Sequence, residues 1–325
     1  MSDKKKEGEI ETEENEYLVR ELGDSNILGP KSLSYKCKII IIVCICIFVA
    51  GIISATVFLL IKESSDSDKG VEDNQERDEE DPIEVLPPII INPAKDYTHC
   101  IIWLHGMDNC PENFQELFKI EVPFIKEENT KIILMRAPYM IMSFNQQNVT
   151  SWFDLYSFPI NNSECYNYTD ITKSRRMLEK IINQEAKKLN GNYQNIFVGG
   201  HSQGAIVSLY TAYNFKELLG GVLVCSGILL NETEIVGDKN KLKVFLAHGF
   251  KDQAIPLFFH NETVKRIENF EGVKKFYYEN LGHNIANYEK FDMSGFLNDS
   301  MIEVNHNNKL FCSLIKILLL FILFY

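Results

Sequence analysis

The chain has 325 residues, of which 45% are hydrophobic, and a formal net charge of −12. This length suits one large domain or two ordinary ones. An acidic chain without a visible basic face cannot neutralise phosphates, so the composition argues against nucleic acid as a partner.

The N-terminal part divides into three segments of different character. Residues 1–38 are polar and charged, which predicts a disordered tail. Residues 39–61 carry no charge, and a helix of this length, rising about 1.5 Å per residue, crosses roughly 30 Å of hydrocarbon. We therefore predict a single transmembrane helix with the lipid bilayer as its partner. Residues 62–82 form an acidic, extended linker.

The flanking charges and the glycosylation sequons both indicate the orientation of this helix. Three lysines precede it and two follow it closely, which favours a cytoplasmic N-terminus and a lumenal or extracellular domain. Six N-glycosylation sequons agree, because chance supplies only about two in a domain of this size. They lie at Asn148, Asn161, Asn167, Asn231, Asn261 and Asn298. In that compartment Cys110 and Cys165, both in loop-like sequence, are candidates for a disulfide.

Strands and helices alternate over residues 83–298. Strands are predicted at 89–92, 100–104, 131–135, 195–198, 221–225, 242–246 and 274–278, and helices at 111–119, 172–189, 204–215, 256–270 and 284–291. Several strands are continuous apolar runs, as expected where both faces are buried. The alternation predicts an α/β fold with a mostly parallel sheet flanked by helices.

The C-terminal residues 299–325 combine a polar spacer with an apolar tail. Small residues at 298–300, followed by this spacer and tail, resemble a GPI-attachment signal. A second membrane segment and an amphipathic surface anchor are the alternatives.

The pattern G-x-S-x-G occurs at 200–204, between an apolar strand and a helical stretch. A serine in this context lies on a tight strand-to-helix turn, where a Cβ at either flanking glycine would collide with neighbouring backbone. The helix that follows presents free N–H groups to an oxyanion. We therefore predict that Ser202 is a nucleophile.

A serine nucleophile needs a base and an orienting acid, which on this architecture follow in the order Asp, His after successive strands. Asp252 and His283 satisfy that order and position. The backbone N–H groups of Gln203 and Met107 are the candidates for an oxyanion hole, because they follow the serine and an early strand.

The other histidines and the cysteines suggest no further chemistry. His105 and His248 precede glycines at strand ends and are expected to be turn residues, while His260 lies in polar sequence with no partner implied. Ligand-type residues do not cluster at metal-binding spacing and no phosphate-binding loop occurs, so we predict neither a metal nor a cofactor.

Four blocks occur in order over about residues 84–295. They are Ile102-Trp103-Leu104-His105-Gly106, Ser151-Trp152-Phe153-Asp154, Gly199-Gly200-His201-Ser202-Gln203-Gly204, and His248-Gly249 with Asp252, Ile255-Pro256 and Gly282-His283. In these blocks the chain resembles the acyl-protein thioesterase/phospholipase–carboxylesterase family of α/β-hydrolases.

The resemblance implies an α/β-hydrolase fold and a triad of Ser202, Asp252 and His283. It also implies that Met107 and Gln203 supply the oxyanion N–H groups, and we expect Trp152 and Phe153 to contact substrate.

The chain departs from the family in two places. Met107-Asp108-Asn109 stands where the family has Leu-Gly-Asp, so a flexible glycine is missing from the oxyanion loop. Residues 156–168 form an insert that carries two sequons and lies at a position suited to a lid or to a changed substrate range.

These observations predict a membrane-anchored serine hydrolase that cleaves acyl esters or thioesters. The family is mostly cytosolic and removes fatty acyl groups from protein cysteines. A lumenal or extracellular domain cannot reach such substrates, which makes a carboxylesterase or lysophospholipase-like activity the leading prediction. The alternatives are a cytosol-facing palmitoyl-protein thioesterase and a pseudo-hydrolase displayed as a surface protein.

Overall fold

Strands and helices alternate along the chain in the computed structural model, which describes residues 87–118, 129–162, 164–302 and 304. The strands are β1 (Ile89–Ile91), β2 (His99–Leu104), β3 (Thr130–Met135), β4 (Tyr139–Ile141), β5 (Asn148–Thr150), β6 (Ile196–His201), β7 (Gly221–Cys225), β8 (Lys243–Gly249) and β9 (Val273–Tyr278). The helices are α1 (Tyr168–Lys188), α2 (Gln203–Asn214), α3 (Leu257–Ile267) and α4 (287–302).

Seven of the strands form one sheet in the order β1-β3-β2-β6-β7-β8-β9. Only the pairing of β1 with β3 is antiparallel, and every other neighbouring pair in this sheet is parallel. The predicted mostly parallel sheet is therefore confirmed, and each predicted strand overlaps an observed one. The hairpin of β4 and β5 was not predicted, because strands of three residues carry too little periodic pattern.

Helices cover both faces of the sheet. One face packs against α1, α2 and α3, which contribute Leu178, Leu209 and Ile267 to the larger core cluster. The other face packs against α4, through Phe296 and its neighbours, and against a short 3-10 turn at Pro111–Phe114. Burial on both faces explains why β7 is apolar throughout and why β2 and β3 become apolar after their first one or two residues.

Glu185 lies on the apolar side of α1, where the helical pattern predicts a hydrophobic residue. The structure supplies its partners, since its Oε1 accepts hydrogen bonds from Lys131 Nζ at 2.8 Å and Lys188 Nζ at 2.7 Å. Its Oε2 accepts one from the Tyr97 hydroxyl at 2.7 Å. Only 2% of Glu185 is exposed, so these bonds compensate a charge that would otherwise be costly to bury.

The disulfide hypothesis for Cys110 and Cys165 is wrong in this structure, because both are free thiols. Cys165 is buried in the core cluster on the α1 face of the sheet. Cys110 precedes the turn whose Phe114 packs on the opposite face. The two cysteines therefore have different surroundings, since Cys110 lies beside Glu112 and Arg136 whereas Cys165 lies in the core.

The predicted last helix is longer than expected, because α4 continues to residue 302 and crosses the domain boundary predicted at residue 298. Ser300 and Met301, at and beside the small residues of the proposed attachment signal, are buried. The predicted tail, transmembrane helix and linker (1–38, 39–61 and 62–82) lie outside the described residues, as does the apolar C-terminal segment from residue 305. Within residues 87–118, 129–162, 164–302 and 304, no helix has the length and apolar character to cross a bilayer.

Replacing Glu185 by leucine is expected to lower the free energy of unfolding by about 3 kcal/mol, because the change leaves the Lys131 ammonium buried without its carboxylate. Urea unfolding of the two proteins measures the difference. As a matched control, Glu262→Leu removes the exposed ion pair with Lys265 and should change stability by less than about 0.5 kcal/mol. Equal effects of the two substitutions would contradict the buried network.

Candidate active site

Ser202 occupies the sharp turn between β6 and α2. Its backbone has φ 56° and ψ −121°, a left-handed region that is unfavourable for a residue with a Cβ. The Ser202 N–H donates to the carbonyl oxygen of Cys225 at the end of β7 at 3.0 Å. The turn is therefore held in a strained conformation by its neighbouring strand, and it lifts the serine hydroxyl away from the sheet.

The glycines on either side of this turn are required by a close approach of backbones. A Cβ at Gly200 or at Gly204 would overlap the carbonyl oxygen of Leu104, at the end of β2. A Cβ at Gly106 would lie only 3.3 Å from the Cβ of Ser202. The predicted steric role of the two flanking glycines therefore agrees with the structure, and the contact brings the loop after β2 against the serine turn.

The structure brings Ser202, His283 and Asp252 together in one hydrogen-bonded chain. His283 Nε2 lies 2.8 Å from Ser202 Oγ, and His283 Nδ1 lies 2.7 Å from Asp252 Oδ2. Burial acts to raise the pKa of Asp252, but the hydrogen bond and charge of His283, the Ile255 N–H and the charge of His248 together outweigh burial and leave that pKa below the ordinary value. The carboxylate is thus ionised and oriented toward the imidazole at neutral pH.

Backbone contacts join the loop that carries Asp252 to the loop that carries His283. The N–H of Lys251 donates to the carbonyl oxygen of Leu281 at 2.9 Å, and a Cβ at Gly249 would overlap that same oxygen. The glycine at the end of β8 therefore permits the two loops to touch. As a result, the Asp252–His283 distance depends on main-chain contacts as well as on side-chain rotamers.

Of the two predicted oxyanion donors, Gln203 directly follows Ser202 and Met107 lies in the loop after β2. Gln203 begins α2, so its N–H is one of the free donors at the helix amino end. Met107 follows Gly106 in the loop that packs against the serine turn. Asp108 stands where the family has glycine and adopts φ 54°, a conformation that aspartate tolerates better than most residues. The substitution therefore preserves the turn that the glycine would allow.

The side chain of Gln203 has a structural role that the sequence did not reveal. Its Oε1 accepts from Ser151 Oγ at 2.7 Å and from the Trp152 N–H at 3.0 Å, and its Nε2 donates to the Phe153 carbonyl at 2.9 Å. One amide thus fixes the Ser151–Phe153 segment to the start of α2.

Trp152 and Phe153, which we expect to contact substrate, are both buried in the core cluster. The Trp152 indole N–H donates to the carbonyl oxygen of His105 at 2.7 Å, and Phe153 packs edge-on against Tyr166. These contacts support the oxyanion loop and the insert from behind. A direct contact with substrate stays a prediction.

Three buried histidines surround the triad. Both ring nitrogens of His105 are bonded, to the Gly106 carbonyl at 2.7 Å and to the Ala137 N–H at 3.1 Å, as expected for a turn residue. His260, expected in polar surroundings, is instead fully buried and stacks on His248 with ring centroids 4.5 Å apart. That expectation was wrong because polar residues follow His260 in the chain, whereas the packing of α3 directs its side chain inward.

A cavity of about 450 Å³ opens beside His283. Phe158 and Pro159 of the insert form one wall, and Gln253 and Ala254 from the loop of Asp252 form another. The insert is fastened to that loop by a hydrogen bond from the Ile160 N–H to the Ala254 carbonyl at 3.0 Å. A larger cleft, of about 600 Å³, lies among residues that precede β6, β7 and β8, at the edge of the sheet away from Ser202.

Comparison with known proteins gives a consistent result. The sequence model of the phospholipase/carboxylesterase family matches residues 87–301. A probable carboxylesterase SOBER1-like protein of Arabidopsis thaliana is 28% identical over 211 residues, which cover 62% of this chain and 78% of that protein. Acyl-protein thioesterase 1 of Yarrowia lipolytica is 28% identical over 225 residues, covering 66% and 98% respectively.

Solved structures share the fold at lower sequence identity. Arabidopsis thaliana SOBER1 superimposes with a TM-score of 0.57 at 22% identity, covering 62% of this chain and 99% of that chain. Zea mays acyl-protein thioesterase 2 gives a TM-score of 0.55 at 20% identity, covering 66% and 98%. The described part of the chain therefore has the α/β-hydrolase fold.

Buried histidines should make the protein less stable in acid. Burial lowers the pKa of His105 to about 4 and that of His260 to about 3. Both stay neutral in the folded chain, whereas the unfolded chain protonates them below their ordinary pKa of about 6.5. Stability is therefore lost as the pH falls from about 6.5 toward about 4, by up to about 1.4 kcal/mol per pH unit for each histidine.

Urea unfolding at several pH values between about 7 and about 5 measures this slope. The variant His260→Phe keeps an aromatic ring in the stack. Its free energy of unfolding should fall less steeply with decreasing pH, because the contribution of one buried histidine is removed. Glu289 acts in the opposite sense, because burial raises its pKa to about 7, but it is common to both proteins and cancels in the comparison. Identical slopes for the two proteins would contradict the neutral state of His260.

Proposed function

Since the chain belongs to the phospholipase/carboxylesterase family, a family of serine hydrolases, we propose that it cleaves acyl esters or thioesters through Ser202, His283 and Asp252. The observation that carries this proposal is the continuous hydrogen-bonded chain from Ser202 Oγ through His283 to Asp252. Its two distances lie in the range that proton transfer requires before substrate binds.

In the proposed mechanism, His283 Nε2 takes the proton of Ser202 as the serine oxygen attacks the acyl carbonyl carbon. Asp252 holds His283 in the tautomer with a proton on Nδ1 and stabilises the imidazolium that forms. The carbonyl oxygen becomes an oxyanion, which accepts hydrogen bonds from the N–H groups of Met107 and Gln203.

Collapse of this intermediate breaks the bond to the leaving alcohol or thiol, which receives the proton from His283 Nε2. Water then attacks the acyl-enzyme with His283 again as the base, and the carboxylic acid and free Ser202 are regenerated. Because the leaving group departs on the side of His283, the cavity walled by Phe158 and Pro159 is the place for it.

The substrate class follows from the orientation of the domain. Four sequon asparagines of the domain have exposed side chains, which supports a lumenal or extracellular enzyme held by a helix at residues 39–61; they are Asn148, Asn161, Asn231 and Asn261. We propose carboxylesters or lysophospholipids as substrates in that location. The rival is a cytosol-facing palmitoyl-protein thioesterase, which is favoured by the relatives named acyl-protein thioesterases.

The variant Ser202→Ala is expected to abolish hydrolysis of a p-nitrophenyl ester and labelling by a fluorophosphonate probe, with the fold retained. Only the slow reaction supported by the oxyanion hole should remain. Ser208→Ala is the matched control, because Ser208 lies on the same helix, is fully buried, and its hydroxyl has no partner among the described residues. Labelling that survives in Ser202→Ala would point to another nucleophile, and labelling absent from the wild type would favour the pseudo-hydrolase.

Treatment of the full-length protein, expressed in eukaryotic cells, with a glycosidase specific for N-linked glycans should increase its mobility on a denaturing gel. The shift should become smaller when Asn231 and Asn261 are changed to Gln, because both side chains are exposed. An unshifted band would exclude the lumenal orientation and support the cytosol-facing thioesterase.

A further inference from the structure

His248 lies beside Asp252 at the end of β8. Its Nε2 is 2.9 Å from the carbonyl oxygen of Ile255 and 3.7 Å from Asp252 Oδ2. A carbonyl oxygen can only accept a hydrogen bond, so Nε2 carries the hydrogen and donates it to Ile255. His248 therefore closes the turn that runs from Asp252 to Ile255.

That turn determines where the carboxylate of Asp252 points. Asp252 Oδ1 accepts from the N–H groups of Ala254 and Ile255, each at 2.9 Å, which leaves Oδ2 for His283. The bond from His248 restrains the carbonyl of the same Ile255 whose N–H holds Oδ1. The side chain of His248 is thus coupled to the orientation of the Asp252 carboxylate through the backbone of one residue, Ile255.

His260 holds the ring of His248 in place. The two rings stack at 4.5 Å with an interplanar angle of 25°, and Tyr277, the cross-strand neighbour of His248, packs edge-on against His260 at 5.3 Å. Both histidines are 0% exposed. His248 Nδ1 has no hydrogen-bond partner among the described residues, and the backbone of Gly227 is the hydrogen-bonding group beside the His260 ring.

The groups that face this pair are few. They are Asp252 and His283 of the triad, and Tyr277 of the neighbouring strand β9. Burial lowers the pKa of both His248 and His260, so the pair remains neutral at pH 7. When His248 is neutral, the Asp252 carboxylate interacts electrostatically with His283 alone, whereas a protonated His248 would compete with His283 for the carboxylate.

We propose that His248, braced by His260, is a positioning residue that aims Asp252 at His283. This role rests on the proposed function of the triad, and neither histidine touches the reacting atoms. Loss of the bond from His248 to Ile255 would let the Asp252 turn relax and weaken the Asp252–His283 contact. A base with a weakened carboxylate partner is protonated only at lower pH, so the acid limb of the rate profile should move.

The test compares ester hydrolysis by the full-length protein carrying His248→Leu or His248→Gln. His248→Leu should lower kcat by about tenfold or more with KM nearly unchanged, and should move the acid limb of kcat/KM to lower pH by about half a unit or more. His248→Gln retains an N–H donor that reaches Ile255 and should recover most of kcat and the position of the limb. His99→Leu is the control, because His99 is a buried histidine at the opposite end of β2.

A second variant, His260→Ala, and a second measurement, NMR, test the same role of His248. His260→Ala removes the supporting ring and leaves His248 itself, so kcat and the acid limb should change in the same direction as in His248→Leu, but by less. This variant tests the proposal even if His248→Leu does not fold. The NMR resonance of the His283 Nδ1 proton should broaden in His248→Leu and in His260→Ala, and remain sharp in His248→Gln and His260→Phe.

The role is refuted if the acid limb and the resonance are unchanged in His248→Leu and His260→Ala, or if His248→Gln behaves like His248→Leu. The resonance needs no substrate, so it tests His248 even if the wild type hydrolyses no ester. Absence of wild-type hydrolysis would refute the proposed function alone.

Discussion

The contact on which the site depends is one between backbones, at the carbonyl oxygen of Leu104. Gly200 and Gly204 approach this oxygen so closely that neither position has space for a Cβ. The end of β2, the serine turn and the amino end of α2 therefore share one small volume. That proximity places the loop bearing Met107 beside Ser202, so close backbone contact positions Ser202 and the proposed oxyanion donors relative to one another.

Much of this arrangement could be predicted because its causes are local in the sequence. Continuous apolar runs identified the strands, since a strand buried on both faces tolerates few polar residues. Asp252 and His283 were found because parallel strands end at the same edge of the sheet, which brings the residues that follow β8 and β9 toward Ser202. Local pattern plus topology was therefore sufficient for the geometry of the triad.

The features that sequence reasoning missed depend on partners far away in the chain. Glu185 contradicts the helical pattern until Lys131, 54 residues earlier, supplies its counter-charge. The contact of His260 with His248 arises only because α3 packs against β8 and stacks the two rings. Cys110 and Cys165 share loop-like sequence, yet the fold buries Cys165 in the core and places Cys110 beside Glu112 and Arg136. The hydrophobic periodicity of the sequence does not reveal such pairings, because they arise from tertiary packing.

Asn167 combines two properties that are usually found in separate residues. It is the N-cap of α1, where its Oδ1 accepts from the N–H groups of Thr169 and Asp170, and it is also the asparagine of a sequon. A sugar is joined through Nδ2, so attachment leaves Oδ1 available for capping. Replacing Asn167 would remove the helix cap and the glycosylation site together, so destabilisation of α1 could not be distinguished from loss of a glycan. Replacing Thr169, whose side chain is exposed, abolishes the sequon and keeps the cap, which makes occupancy at this helix start separable from folding.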